Sequence, residues 1–267
     1  MKPSMSESEL LWLADLNRLE FWCESAKCIP NTEILQESDA VFINSGLDVA
    51  YHSFAFNTAM EPLKHPHDFI ARAKAFFTGR KPAFSLMLRG HADHSIVEYC
   101  KENKVFLASE GPGMVLDKPI KGGDIPSGTK LRWVENEKTL GEFAQVVAEA
   151  FQDLGLAAEV SQRYFAQPRR VITPYQILAV VYLNGEPAAT AHAILSHGIA
   201  GIYWVAVVKK ARGKGLAEYC TREVGNAAFD LSARKVILQA SKFGEPVYRK
   251  MGYREITRYP WFVCSVK

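Results

Sequence analysis

Five cysteines in 267 residues, Cys23, Cys28, Cys100, Cys220 and Cys264, are odd in number and include no Cys-x-x-Cys pair. That usage argues against a disulfide framework and fits free, mostly buried thiols. The pairs His65-Pro-His67 and His91-Ala-Asp-His94 lack both a supporting cysteine and a helical His-Glu-x-x-His pattern, so no metal is expected. No apolar run reaches the length of a membrane span, and the N-terminus shows no basic-then-apolar signal pattern. A cytoplasmic protein without membrane contacts is the expectation. Charge of one sign is also missing. The 32 basic and 29 acidic residues leave a net charge of +3, which gives no global field for nucleic acid. The pairs Arg169-Arg170, Lys209-Lys210 and Arg234-Lys235 read as solvated rims. What the chain does have is a 48% apolar composition over a length that suits one large or two modest domains.

Ser6-x-x-Glu9 is a capping-box pattern ahead of Leu10, Leu13, Leu16 and Leu19, which predicts an amphipathic first helix. Two short strands are expected over residues 39–56 around Gly46, then a helix over 66–77 with Phe69, Ala73, Phe76 and Phe77 inward. A strand over 83–89, a helix over 93–102 and a strand over 104–108 follow, with Gly111-Pro-Gly113 turning the chain before residues 114–116. Residues 117–128 collect Gly122, Gly123, Pro126 and Gly128 among few large apolar residues, as a domain linker does. The expected division is therefore an α/β lobe over 1–117, a linker over 118–128 and a second domain over 129–267.

The second half starts with a strand over 130–134 and a helix over 139–153 whose apolar face carries Leu140, Phe143, Val146, Val147 and Phe151. A shorter helix is expected over 159–165. Asn184-Gly185 joins the runs 177–183 and 187–195 into a hairpin, because this dipeptide favours a tight primed turn. The run 201–208 is apolar, β-branched and aromatic over strand length, and residues 216–231 have the mixed polarity of a helix.

Between that strand and that helix lies the most informative stretch, with Gly213 and Gly215 among the cations Lys210, Arg212 and Lys214. Glycines let backbone N–H groups approach a ligand, and the first helical turn adds orphan donors at a positive dipole end. A phosphate is the expected guest. Two common phosphate loops fail on spacing. Glu218 stands where a dinucleotide fingerprint needs its third glycine, and Gly213-Lys214 is followed by Gly215 rather than by Ser or Thr.

Arg212-Gly213-Lys214-Gly215-Leu216-Ala217 resembles the Arg/Gln-x-x-Gly-x-Gly/Ala signature of the GNAT superfamily of acyl-CoA-dependent N-acetyltransferases. The flanks agree with that family: a strand over 235–240 comes next, and Tyr248-Arg-Lys-Met-Gly-Tyr253 matches its later Tyr-x-x-x-Gly-Phe/Tyr stretch. Lys209 departs from it, since the family often has proline there. The resemblance implies an α/β fold with a mixed, mostly antiparallel sheet flanked by helices. The β/α alternation of the first half echoes this layout as a smaller, degenerate GNAT-like lobe without the signature.

The resemblance further implies acetyl-CoA as co-substrate. Its pyrophosphate would meet the backbone of Gly213, Gly215, Leu216 and Ala217, with Arg212 and Lys214 adding charge, and its pantetheine arm would pair with Val205, Ala206 and Val207. Tyr248 matches the general acid that protonates the departing sulfur. His192, Glu218 and Tyr203 are candidates for the base. The implied reaction is direct attack by a primary amine of a small molecule, amino acid or peptide in a ternary complex, by a monomer or homodimer. A non-catalytic acyl-CoA-binding regulatory module and a longer-chain N-acyltransferase remain open alternatives.

Overall fold

A computed structural model describes residues 5–47, 49–153 and 155–267. Asp48, inside the stretch expected as two strands, and residues 1–4 of the expected first lobe lie outside the described residues. Helix α1 (Glu7–Lys27) begins at Ser6, whose hydroxyl accepts from the Glu9 N–H at 3.1 Å. Strands β1 (Glu33–Gln36), β2 (Ala40–Asn44) and β3 (Phe54–Asn57) follow, then α2 (Pro66–Phe77), β4 (Ala83–Met87) and α3 (His94–Glu102). β1 was not expected, because its pattern of one half-buried and three exposed residues leaves no apolar alternation to find.

Strand β5 (Phe106–Leu116) corrects the turn expected at Gly111-Pro-Gly113, since the chain runs straight through it. Gly113 is there for close packing: a Cβ at that position would lie 2.5 Å from the Tyr259 ring. Residues 117–128 carry no helix or strand. They are strapped to a helix of the second half, for the Ile120 N–H and C=O both bond the Asn226 side chain at 2.9 Å, and Arg222 donates to the Asp124 carbonyl at 3.1 Å.

Strand β6 (Thr129–Trp133) leads to α4 (Glu137–Gln152), capped by the Asn136 side chain accepting from the Thr139 N–H, then α5 (Ala158–Arg163) and the short, unexpected α6 (Pro168–Val171). Strands β7 (Gln176–Leu183), β8 (Glu186–Ser196) and β9 (Ile199–Val207) are joined by two tight turns, Asn184-Gly185 and His197-Gly198, all four residues at positive φ. Helix α7 (Leu216–Asp230), β10 (Val236–Gln239), α8 (Glu245–Lys250) and β11 (Arg254–Ser265) complete the chain.

The chain forms two compact units, which cut across the sequential halves. One contains the residues up to Cys28 together with Met114–Arg254; the other contains Ile29–Gly113 and Glu255–Lys267. In the first, strand order is β5-β10-β9-β8-β7-β6, antiparallel from β6 to β9 and parallel between β9 and β10. α1 belongs to this unit because Phe21 packs with Ile194 and Tyr203. In the second, which takes the Phe106–Gly113 part of β5, the order is β1-β2-β3-β4-β11-β5, antiparallel from β1 to β3 and between β4 and β11 and parallel between β3 and β4. The last strand, β11, pairs not with the strands of the second half but with β4, from Trp261↔Met87 to Ser265↔Ala83. Phe42, Phe69, Phe77, Phe84 and Leu86 form its core.

Candidate active site

The parallel pairing of β9 with β10 covers Ala200–Ile202 against Val236–Leu238. Immediately beyond it β9 is bulged. Thr190 faces Ala206 and His192 faces Tyr203, so Trp204 and Val205 stand opposite Ala191 alone. Trp204 takes φ +48°, a left-handed conformation that costs an ordinary residue roughly 1–2 kcal/mol. The Thr190 hydroxyl, donating to the Trp204 carbonyl at 3.0 Å, and ring contacts with Phe151, Tyr164 and Phe165 hold it there. No sequence signal announced this bulge, because a tryptophan at positive φ follows from packing by distant residues and not from local pattern.

A cavity of about 560 Å³ begins at the bulge, within the roughly 300–1,000 Å³ usual for small-ligand sites. Val205, Ala206 and Val207 form one wall. After a turn of 3-10 helix over Lys209–Ala211, the loop supplies Arg212, Gly213 and Gly215, and the first turn of α7 supplies Leu216 and Ala217. Gly215 is the N-cap of α7 at φ +74° and offers no side chain to the first-turn donors. Gly213 has φ +76°, and a Cβ there would meet nothing within 4 Å. Both conformations favour glycine, and both leave backbone open to an anion.

Of the residues expected at this site, Lys214 is exposed and is not among those described as lining the cavity. Arg212 does line it, but its guanidinium pairs with Asp153 at 2.8 Å and bonds the Val207 carbonyl at 3.2 Å. It therefore braces the loop against α4 and β9, with part of its charge neutralised.

Tyr248 of α8 reaches the cavity while only 7% exposed. Burial pushes its phenol above the ordinary tyrosine pKa, so it stays protonated at neutral pH. Ser241, whose hydroxyl accepts from the Gly244 N–H at 3.1 Å, and the exposed Phe243 line the wall between β10 and α8. Glu218 also lines the cavity. His192 and Tyr203 instead pack against Phe21 of α1, Tyr203 stacking on it with centroids 3.6 Å apart and donating to the Asn17 Oδ1 at 2.9 Å. Burial brings the His192 pKa down to about 3, so the imidazole is neutral. Among the described residues no cluster of three His, Cys, Asp or Glu side chains is placed to hold a metal ion, and no helix is long and apolar enough to cross a membrane.

Such an arrangement can hold a phosphate at the loop, an extended chain along β9 and a leaving group beside a neutral phenol. Residues 147–259 match the family described as Acetyltransferase (GNAT) domain. No curated protein matches the chain significantly. Among solved structures, a GCN5-related N-acetyltransferase from Kribbella flavida is similar with a TM-score of 0.71 at 17% identity, over 95% of each chain. One from Sphaerobacter thermophilus scores 0.65 at 18% identity, over 87% of this chain and 82% of its own. A tandem GNAT protein from the clavulanic acid biosynthesis pathway scores 0.59 at 12% identity, over 90% of this chain and 85% of its own. At these identities the likeness is one of fold, a mixed α/β architecture with a mostly antiparallel sheet flanked by helices.

Proposed function

We propose, from the match of residues 147–259 to the GNAT acetyltransferase domain family, that the protein is an N-acetyltransferase that moves an acetyl group from acetyl-CoA to a primary amine of a small molecule, amino acid or peptide. The observation that carries this reading is the single cavity joining the free stretch of β9, the glycine turn before α7 and the buried Tyr248. The backbone N–H groups of Gly213, Gly215, Leu216 and Ala217 bind the pyrophosphate, with help from the dipole of a 15-residue helix. Val205, Ala206 and Val207 pair with the pantetheine arm as with another strand. Arg212 and Lys214 belong to the loop rather than to the chemistry, the first as a brace and the second as a rim charge.

In the reaction the amine nitrogen bonds the thioester carbonyl carbon and the carbon–sulfur bond breaks. Tyr248 gives its phenolic proton to the departing sulfur and regains one, by way of solvent, from the acetylated ammonium. The activity is assigned to the unit of Met114–Arg254 with α1, which contains every residue lining the cavity, rather than to residues 129–267 alone.

The reading is tested by thiol release from acetyl-CoA across a panel of primary amines. Amine-dependent release is expected. Tight acetyl-CoA binding with no release for any amine would instead favour a non-catalytic acyl-CoA-binding module, and release that rises with acyl length would favour a longer-chain acyltransferase.

A further inference from the structure

Phe243 is an anomaly that catalysis leaves unexplained. It is 77% exposed, the most exposed large apolar residue among those described, yet it lines the same cavity as Gly213 and Gly215. A single apolar ring on open surface needs no explanation, but one fixed at the mouth of a ligand cavity asks what covers it. Its loop is ordered, with the Gly244 N–H bonded to both the Ser241 hydroxyl and the Ser241 carbonyl at 3.1 and 3.0 Å. The ring is thus presented by a built turn.

Burial orients the cavity. Of its lining, Tyr248 is 7% exposed and Phe243 is 77% exposed, so the tyrosine is closed off from solvent and the phenylalanine stands where the cavity opens to it. A donor with its thioester beside Tyr248 and its pyrophosphate at Gly213 and Gly215 extends its nucleotide toward that mouth, where a planar base finds an aromatic face.

We propose that Phe243 is a stacking platform for the adenine of acyl-CoA, so that the protein reads the nucleotide end of its donor as well as the phosphate. This rests on the acyl-CoA reading above. Base-on-aromatic stacking has the size to matter for affinity, and an exposed side chain can be removed without touching the core.

The test compares binding of acetyl-CoA and of S-acetyl-4′-phosphopantetheine, which keeps the thioester, the arm and one phosphate but lacks the adenosine 3′,5′-bisphosphate part, by titration calorimetry on the full chain. Phe243→Ala is expected to weaken acetyl-CoA about tenfold and to leave the truncated donor within about twofold. Phe243→Trp should retain wild-type affinity for both. Equal weakening of both donors by Phe243→Ala, or no weakening of either, overturns the platform while the acyl-CoA reading stands. If the wild type binds neither donor, that reading falls and the platform falls with it.

Discussion

Each unit contains one right-order β-α-β step with parallel strands, β9-α7-β10 in one and β3-α2-β4 in the other, and the two end differently. After β9 the connection is glycine-rich, the strand is bulged at Trp204, and the residues past the paired stretch line a cavity. After β3 the connecting residues 58–65 contain no glycine, and α2 opens with Pro66 behind a His65 that makes no side-chain cap. Past the paired stretch Phe54↔Ser85 and Ala55↔Leu86, a buried ion pair ties the ends together. Asp93 accepts from the Arg89 guanidinium and from the Asn57 amide, both at 2.7 Å, while Arg89 donates to the Ala59 carbonyl at 3.0 Å. Their side chains are 0% and 6% exposed. One topology therefore yields an open cavity or a sealed joint, according to whether glycines or a charged pair follow the strands.

The largest expected effect comes from unsealing that joint. Asp93→Ala takes the carboxylate away from the buried Arg89 guanidinium and should cost about 3–5 kcal/mol of stability, read from the denaturant midpoint. A cost under about 1 kcal/mol would mean that the pair is solvated and seals nothing. Next is the glycine cradle. Gly215→Glu puts a side chain and a negative charge where an anion should bind, and acetyl-CoA affinity should fall at least about 100-fold, or roughly 2.7 kcal/mol. Lys64→Ala in the glycine-free connection should leave that affinity unchanged. Were both variants to bind as wild type, the contrast between the two steps would carry no function. Tyr248→Phe should lower turnover about 100-fold with acetyl-CoA affinity kept, the usual size of general acid catalysis. Undiminished turnover would remove the tyrosine from the chemistry.

The sequence made the glycine turn, the hairpin at Asn184-Gly185 and the helix behind Ser6 legible, because each depends on local chemistry: positive φ, a primed turn, a side-chain cap. It could not reveal the bulge at Trp204, which exists only because Thr190 and three aromatic rings from elsewhere in the chain hold it. Nor could it show that Arg212 is claimed by Asp153, a partner 59 positions away that no spacing rule connects to it. The grouping of α1 and β11 with distant segments escaped for the same reason. Phe21 and Trp261 look like ordinary core aromatics until Tyr203 and Met87 are seen beside them.

Smallest, but present in both units, is the effect of a buried neutral histidine. Burial lowers His192 to about 3 in one unit and His52 to about 4 in the other, while an unfolded histidine titrates near 6.5. Below pH 6.5 the unfolded chain takes up a proton that the folded ring refuses. Stability is therefore lost as pH falls, at up to about 1.4 kcal/mol per pH unit for each histidine, down to about 4 for His52 and about 3 for His192. Between those two values only His192 still contributes. His192→Leu, beside Leu178 on β7, should flatten the dependence of unfolding free energy by about that slope between pH 6 and pH 5. An unaltered slope would show that the imidazole, whose two ring nitrogens have no hydrogen-bond partner among the described residues, is reached by water and titrates in the folded protein as it does in the unfolded chain.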